Sequence, residues 1–179
     1  MSKQPILLII KGYAGAGKSA LAFEYAKQED FALIKQDTFV FELNPGSMIE
    51  RIGRPTDAKY SFQNILSVME NYMATKKSII LEGALVVVEK YNPLDFKPIL
   101  QLAKKYGYQP ILITLTAKER KRRRRQRKRG YRLPIELDRK LAKLADQPNI
   151  DLPNHIINTT KLNKKQVITA TDKIVKTAQ

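Results

Sequence analysis

A glycine-rich stretch near the start of the chain constrains its fold more than any other feature. Residues 12–19 read GYAGAGKS, a complete match to the phosphate-loop pattern G-x-x-x-x-G-K-[ST]. The apolar run 6–10 before it has strand length and bulk, and residues 19–26 after it carry helix formers at helical spacing. In a strand, loop and helix of this order, backbone N–H groups and a helix N-terminus point at a bound polyphosphate. The stretch therefore predicts a binding site for a nucleoside triphosphate.

Two side chains of this loop have predictable tasks. Lys18 is expected to reach the β- and γ-phosphates, and the Ser19 hydroxyl is expected to ligate Mg²⁺. The alternative is a glycine-rich turn that only joins a strand to a helix, and it leaves the Lys-Ser pair unexplained. The loop residues predicted to contact the nucleotide are Gly12, Tyr13, Ala14, Gly15, Ala16, Gly17, Lys18, Ser19 and Ala20.

Length and composition narrow the class of protein. The 179 residues suggest one domain with a full-sized core. The absence of cysteine excludes a disulfide scaffold and a thiolate zinc site. The sequence shows neither a signal peptide nor an apolar run of membrane-spanning length, so the prediction is a cytoplasmic protein without a membrane partner. ATP as co-substrate fits that compartment.

The positive charge is high and unevenly distributed. The formal net charge is +16, and nine of the ten residues 120–129 are basic, Gln126 being the exception. Such a segment attracts polyanions and speeds their encounter. Nucleic acid, nucleotides and phosphorylated metabolites are therefore candidate partners.

Strand-like and helix-like segments alternate along the chain, which predicts an α/β fold with a five-stranded parallel sheet. The predicted strands are 5–11, 31–35, 78–82, 110–115 and 155–158, and the predicted helices include 18–28, 58–75, 94–106 and 164–176, with a short one after Pro134. An irregular stretch is expected between Asp37 and the second helix. Because ligands bind outside the carboxyl ends of strands in such sheets, the site is expected there.

Capping patterns place the helix ends. Thr116 and Glu119 match a capping box, which indicates that the arginine run starts inside a helix, with Gly130 ending it. Asn163 with Gln166 predicts a second cap, at the start of the last helix.

Together with the phosphate loop, further stretches resemble the small P-loop kinases, the branch that holds phage polynucleotide kinase and the zeta-toxin-like and antibiotic phosphotransferases. Residues 31–39, FALIKQDTF, are similar to the second strand of these kinases with its terminal Asp. The resemblance implies that Asp37 is the general base, taking the proton of the substrate hydroxyl. Residues 79–83, IILEG, look like the zeta-toxin-like strand ending in Glu-Gly, which implies that Glu82 lies near metal and substrate. The alternatives are a turn residue at position 37 and a solvated loop acid at position 82.

The arginine run also resembles a family feature. Its tail, residues 127–135, reads RKRGYRLPI and is similar to the lid of polynucleotide kinase. The resemblance implies a single P-loop kinase domain, 1–179, with a lid at about 117–133 whose arginines clamp the transferring phosphoryl group. Arg125 and Arg129 are the predicted catalytic arginines, with Arg122 in reserve. Nine basic residues around a helix cannot all face one phosphate, so most are expected to face solvent or a second anion.

One weaker match and one departure from the family pattern complete the predicted site. Residues 158–160, after the fifth strand, match the position of the adenine loop, which implies that Asn158 contacts the nucleotide. Polynucleotide kinase has an arginine shortly after the base Asp, but residues 38–41 contain no cation. Arg51 or Arg54 would have to hold the substrate instead, and Arg54 joins Asp37 and Glu82 as a predicted substrate-binding residue.

The leading hypothesis is Mg²⁺-dependent transfer of the ATP γ-phosphate to a hydroxyl. The acceptor stays open: a polynucleotide 5′-hydroxyl fits the charge and the lid tail, whereas a nucleoside, a nucleotide sugar or an antibiotic fits the Glu-Gly strand. Residues 84–88, ALVVV, are apolar where the zeta-toxin pattern expects polar residues. A nucleic-acid-binding ATPase and an inactive P-loop protein with a basic interaction segment are the hypotheses of other classes.

Overall fold

The computed structural model describes residues 4–43, 55–84, 96–130, 133–146 and 151–178, and all structural statements concern these ranges. One parallel sheet has the strand order β2-β3-β1-β4-β5. The strands are β1 (Ile6–Lys11), β2 (Ala32–Lys35), β3 (Ile79–Gly83), β4 (Gln109–Thr116) and β5 (Asn154–Asn158). The predicted α/β fold with a five-stranded parallel sheet is confirmed.

Helices flank both faces of this sheet. They are α1 (Lys18–Glu29), α2 (Gln36–Leu43), α3 (Pro55–Ala74), α4 (Lys97–Tyr106), α5 (Glu119–Lys128), α6 (Ile135–Asp146) and α7 (Lys164–Ala178). Within the described ranges, no helix combines the length and apolar character needed to cross a bilayer.

The segment after β2 differs from the prediction. Over residues 36–43 a helix replaces the expected irregular structure, since α2 begins at Gln36 directly after the strand. Asp37 therefore lies in the first turn of a helix, where the N-terminal end of the helix dipole favours a carboxylate. The rest of the predicted stretch, residues 44–54, lies outside the described residues. The next helix, α3, begins at Pro55 rather than near position 58, because proline is preorganised for the first helical position.

The central strand explains why the sheet is covered on both faces. Every residue of β1 is buried. Leu7 and Ile9 join a core with residues of α3 and α4, whereas Leu8 and Ile10 join a core with residues of α1 and α7. Burying each such side chain contributes about 1.5–3 kcal/mol, so the continuous apolar run that suggested a strand also fixes its place in the middle of the sheet.

The two predicted caps have opposite outcomes. Thr116 is the last residue of β4 and no side chain caps the start of α5, so that capping box is wrong. Glu119 instead accepts a hydrogen bond from Arg139 Nε of α6 at 3.1 Å. At α7 the prediction is confirmed, since the N–H of Asn163 donates to Gln166 Oε1 and the N–H of Gln166 donates to Asn163 Oδ1, each at 2.9 Å.

The strand order determines which loops meet. In the sheet β3 lies between β1 and β2, with Lys11 paired to Gly83 and Lys35 paired to Glu82. The glycine loop after β1, Glu82 near the end of β3 and Asp37 after β2 therefore lie along one edge of the sheet.

Candidate active site

The glycine loop has a backbone that only glycine adopts without strain. Gly12, Gly15 and Gly17 have φ values of +145°, +81° and +110°. A Cβ on Gly12 would lie 2.3 Å from the Leu115 carbonyl oxygen, and one on Gly15 would lie 2.7 Å from the Arg122 carbonyl oxygen. The loop thus packs closely against β4 and α5. Its backbone has the kind of concave conformation that binds a polyphosphate.

Lys18, Ser19 and Glu82 form a buried cluster beside this loop. The Ser19 hydroxyl donates to Glu82 Oε1 at 3.1 Å, and Lys18 Nζ lies 3.8 Å from the same oxygen. Burial raises the pKa of Glu82, and Lys18 opposes that rise. Burial also lowers the pKa of the Lys18 ammonium, against the nearby charge of Glu82. A further anion, such as a phosphate, would therefore favour the charged form of Lys18.

Asp37 belongs to the same electrostatic cluster. It is exposed in the first turn of α2. Its charge opposes the lowering of the Lys18 pKa and adds to the raising of the Glu82 pKa. Asp37 is therefore an accessible carboxylate whose charge acts on both a buried lysine and a buried carboxylate.

The charge of Arg129, the residue that follows α5, acts on this cluster. It is exposed at the carboxyl end of the helix, and its charge contributes to the lowering of the Lys18 pKa. Of the two predicted catalytic arginines, it is the one whose charge acts on Lys18.

Arg125 is bound to backbone oxygens. Its Nη1 donates to the carbonyls of Gly15 at 2.9 Å and Ala16 at 3.3 Å, and to Thr159 Oγ1 at 3.1 Å. Its Nη2 donates to the Thr159 carbonyl at 3.3 Å. The guanidinium therefore joins the glycine loop to the turn after β5.

Arg122, the reserve candidate, lies beneath the loop. It is buried, its Nη1 is 3.8 Å from Asp138 Oδ2, and its guanidinium carbon lies 4.9 Å from the centroid of the Tyr13 ring. The structure thus separates three arginines of one run into three surroundings.

A cavity of about 300 Å³ opens beside the loop. It is lined by Ala16, Gly17, Ala20, Leu21, Arg125, Lys128, Arg129, Thr159, Leu162, Asn163, Lys164 and Val167. Asn158 is not among them; its Oδ1 accepts a hydrogen bond from the N–H of Thr160 at 3.0 Å. The turn after β5 reaches the cavity through residues 159–163 instead. Arg51 and Arg54 lie outside the described residues.

Comparisons with known proteins agree with this geometry. The family described as an AAA domain matches residues 7–148. The chain belongs to this AAA-domain family. No curated protein matches the chain.

Several solved structures similar to this AAA-domain chain are described as kinases. A candidate kinase from Chloroflexus aurantiacus has a TM-score of 0.73 at 18% identity, with 100% of both chains covered. A gluconokinase from Sinorhizobium meliloti has a TM-score of 0.66 at 15% identity, covering 99% of this chain and 95% of its own. The APS kinase of Mycobacterium tuberculosis, solved with AMPPNP and APS, has a TM-score of 0.62 at 12% identity, covering 98% and 99%. These likenesses show the fold; the narrower resemblance to polynucleotide kinase and zeta-toxin-like enzymes stays a prediction.

Sequence reasoning missed the polar contacts that hold the arginine helix against the loop. Gln126 Nε2 donates to the Ala14 carbonyl at 3.0 Å and to Asp138 Oδ1 at 3.1 Å. Thr159 Oγ1 donates to the Ala16 carbonyl at 2.7 Å. The one uncharged residue in a run of cations was a usable signal for Gln126. Thr159 lies in the predicted loop 158–160, from which only Asn158 was named, and no pattern in the sequence marks Asp138.

The residues at this site fit Mg²⁺ bound together with phosphates. Ser19 and Glu82 offer oxygen donors side by side, and oxygen is the ligand that Mg²⁺ prefers. Among the described residues, no three acidic or histidine side chains converge to hold a metal by themselves. Mg²⁺ is usually held by one or two protein groups plus substrate phosphates, so this donor set suffices.

Proposed function

We propose that the AAA-domain chain is a kinase that transfers the γ-phosphate of MgATP to a hydroxyl acceptor. The observation that carries the proposal is the cluster in which Lys18 and Ser19 share one oxygen of the buried Glu82 at the glycine loop. Such a cluster supplies a phosphate-binding cation and metal-binding oxygens at one place. A cytoplasmic location, where ATP is abundant, belongs to the same proposal.

Each residue has a distinct task in the proposed reaction. The loop N–H groups and Lys18 bind the β- and γ-phosphates, while Ser19 and Glu82 hold Mg²⁺ or its water. The metal ion supplies charge neutralisation on the phosphates. Asp37 takes the proton of the acceptor hydroxyl as the new oxygen–phosphorus bond forms and the bond to the β-phosphate oxygen breaks, releasing ADP.

Arg129 and Arg125 have different parts in this proposal. Arg129, whose charge already acts on Lys18, stabilises the negative charge on the transferring phosphoryl group. Arg125 keeps the loop and the turn after β5 in place through its four hydrogen bonds. The cavity beside Ala20 and Asn163 would take the base of the nucleotide. Asn158, which precedes the lining residue Thr159 in sequence, stays a predicted contact.

There are two candidate classes of acceptor. Gluconokinase and APS kinase, which share the fold, are named for small hydroxyl compounds, and a small metabolite or antibiotic is therefore one candidate. A polynucleotide 5′-hydroxyl is the other, because the exposed Lys128 and Arg129 line the cavity beside the loop and could bind phosphates. Arg54 would assist in holding either acceptor.

An acceptor panel tests the proposal. ATP labelled on the γ-phosphate is incubated with Mg²⁺ and, in separate reactions, a 5′-hydroxyl oligonucleotide, nucleosides, sugars and aminoglycosides. Transfer of label to one of these acceptors supports kinase activity and identifies the chemical class of the acceptor. If free phosphate is the only labelled product and its release is stimulated by nucleic acid, the ATPase hypothesis replaces the kinase.

A further inference from the structure

Helix α5 has two chemically different sides. At 3.6 residues per turn, Arg122, Arg125, Gln126 and Arg129 fall on one side of the helix. That side faces the glycine loop, through the contacts of Gln126 to Ala14 and of Arg125 to Gly15. Arg120, Arg124 and Arg127 fall on the opposite side, and all three are exposed. We call these three arginines the outer face of α5.

The outer face has no counter-ion in the described part of the chain. The ion pairs of α5 in those ranges are Arg122 with Asp138 and Glu119 with Arg139. Arg120 and Arg124 are four residues apart, and Arg124 and Arg127 are three apart. Like charges at these spacings lie side by side on a helix and destabilise it. A bound polyanion would convert this repulsion into attraction.

The chemistry of the helix selects the kind of polyanion. None of the ten residues of α5 is apolar, so the helix has no face that could be buried in a membrane surface. Arginine forms bidentate contacts with phosphate oxygens. The outer face extends about 10 Å along the helix, at a rise of 1.5 Å per residue. A nucleic acid strand presents phosphates at regular intervals and can contact all three arginines at once.

We propose that the outer face of α5 is a binding surface for the phosphodiester backbone of nucleic acid. The surface lies on the far side of the helix from the glycine loop, so a bound strand and a bound nucleotide do not compete for the same arginines. The proposal is separate from the acceptor question, because the strand need not carry a free hydroxyl at the active site.

Binding is measured by fluorescence anisotropy with no ATP present. The probes are single-stranded RNA and single-stranded DNA of about 20 nucleotides, labelled at the 3′ end and phosphorylated at the 5′ end so that neither is an acceptor. The helix variant is Arg120→Gln/Arg124→Gln/Arg127→Gln, since glutamine is a good helix former. The matched control is Lys27→Gln/Lys104→Gln/Lys173→Gln, which removes the same charge from exposed positions on α1, α4 and α7.

The helix variant is expected to lose at least about tenfold in affinity at about 0.1 M salt, while the control loses less than about twofold. The slope of log affinity against log salt concentration should be smaller in magnitude by about 2 for the helix variant. Each phosphate contact adds about 0.7 to that slope for a single strand, and three contacts are lost. Equal losses in both triple variants, or no measurable binding by the unaltered chain, would overturn the proposal.

Two further readouts keep the result interpretable. Thermal unfolding of the helix variant should occur at or above the temperature of the unaltered chain, because repulsion between like charges is removed, and its ATP binding should be unchanged. These two results distinguish loss of the surface from loss of the fold or of the nucleotide site. Competition with polyglutamate distinguishes phosphate from carboxylate partners. If polyglutamate displaces the probe as effectively as unlabelled RNA of equal charge, the surface is not specific for phosphodiesters, and an acidic protein becomes the favoured partner.

Discussion

Ser19 Oγ donates a hydrogen bond to Glu82 Oε1 over 3.1 Å, which joins the first turn of α1 to the carboxyl end of β3. The two residues are 63 positions apart in sequence, and pairing of β3 with β1 brings them together. Because Lys18 Nζ approaches the same oxygen, one carboxylate organises both the predicted phosphate ligand and the predicted metal ligand.

Glu82→Gln is therefore expected to weaken Mg²⁺-dependent nucleotide binding by about 10- to 100-fold, since the amide carries no charge for the metal or its water. Isothermal titration with ATP, with and without Mg²⁺, measures the effect. The control is Glu70→Gln, which alters a half-buried carboxylate, remote from the loop, that pairs with Lys105. A loss that is the same without Mg²⁺ would argue against a metal role.

Gly15→Ala is expected to destabilise the protein more than Gly107→Ala. Both positions have positive φ, +81° and +70°, so both substitutions introduce backbone strain of about 1 kcal/mol. At Gly15 the new Cβ also lies 2.7 Å from the Arg122 carbonyl oxygen, whereas at Gly107 nothing lies within 4 Å. The difference between the two unfolding free energies, measured in urea, isolates the close approach of α5 to the loop. Equal effects would mean that α5 does not pack there.

Asp138→Ala is expected to lower the free energy of unfolding by about 3 kcal/mol, because it leaves the buried Arg122 without its counter-charge. It also removes one of the two hydrogen-bond acceptors of Gln126, the other being the Ala14 carbonyl. The comparison is Glu119→Ala, which breaks a more exposed ion pair with Arg139 and should change stability by less than about 1 kcal/mol. Chemical denaturation of both variants ranks them; a larger loss in the Glu119 variant would contradict the contacts described here.

The buried Lys11 predicts a pH dependence of stability. Burial lowers its pKa to about 8 from 10.5. Between these values the unfolded chain binds the extra proton, so stability rises as the pH increases from about 8 toward about 10, by up to about 3 kcal/mol. Below about pH 8 the Lys11 ammonium is charged in both the folded and the unfolded chain. The full cost of burying that charge then lowers the free energy of unfolding. Lys11→Met should remove most of this rise in urea unfolding measured across the range; an unchanged slope would exclude Lys11 as its source.

The two predicted catalytic arginines should differ kinetically. Arg129→Gln is expected to lower kcat by about 10²-fold or more with little change in ATP affinity, because its charge is needed mainly on the transferring group. Arg125→Gln should chiefly weaken ATP binding, since it releases the carbonyls of Gly15 and Ala16. Steady-state kinetics and ATP titration of each variant separate the two effects. Identical profiles would contradict the separate tasks.

Local patterns in the sequence predicted the strands, the glycine loop and the cap of α7, because each depends on neighbours within a few positions. Helix α2 was missed because the β-branched and aromatic residues 38–41 have low helix propensity, which tertiary packing overrides. The directions of Arg122, Arg125 and Arg129 depend on how α5 lies against the loop. Asp138 pairs with Gln126 across a loop, and no short pattern records such a partner.

Asp37→Asn is the decisive variant for the proposed kinase reaction, and its transfer of labelled γ-phosphate is the measurement to make. The acceptor is the compound that the unaltered chain labels, and the matched control is Asp30→Asn, which alters an exposed carboxylate at the end of α1. Asp37→Asn is expected to lose transfer by about 10²-fold or more while binding ATP normally, and Asp30→Asn is expected to retain it. Undiminished transfer by Asp37→Asn would exclude Asp37 as the general base.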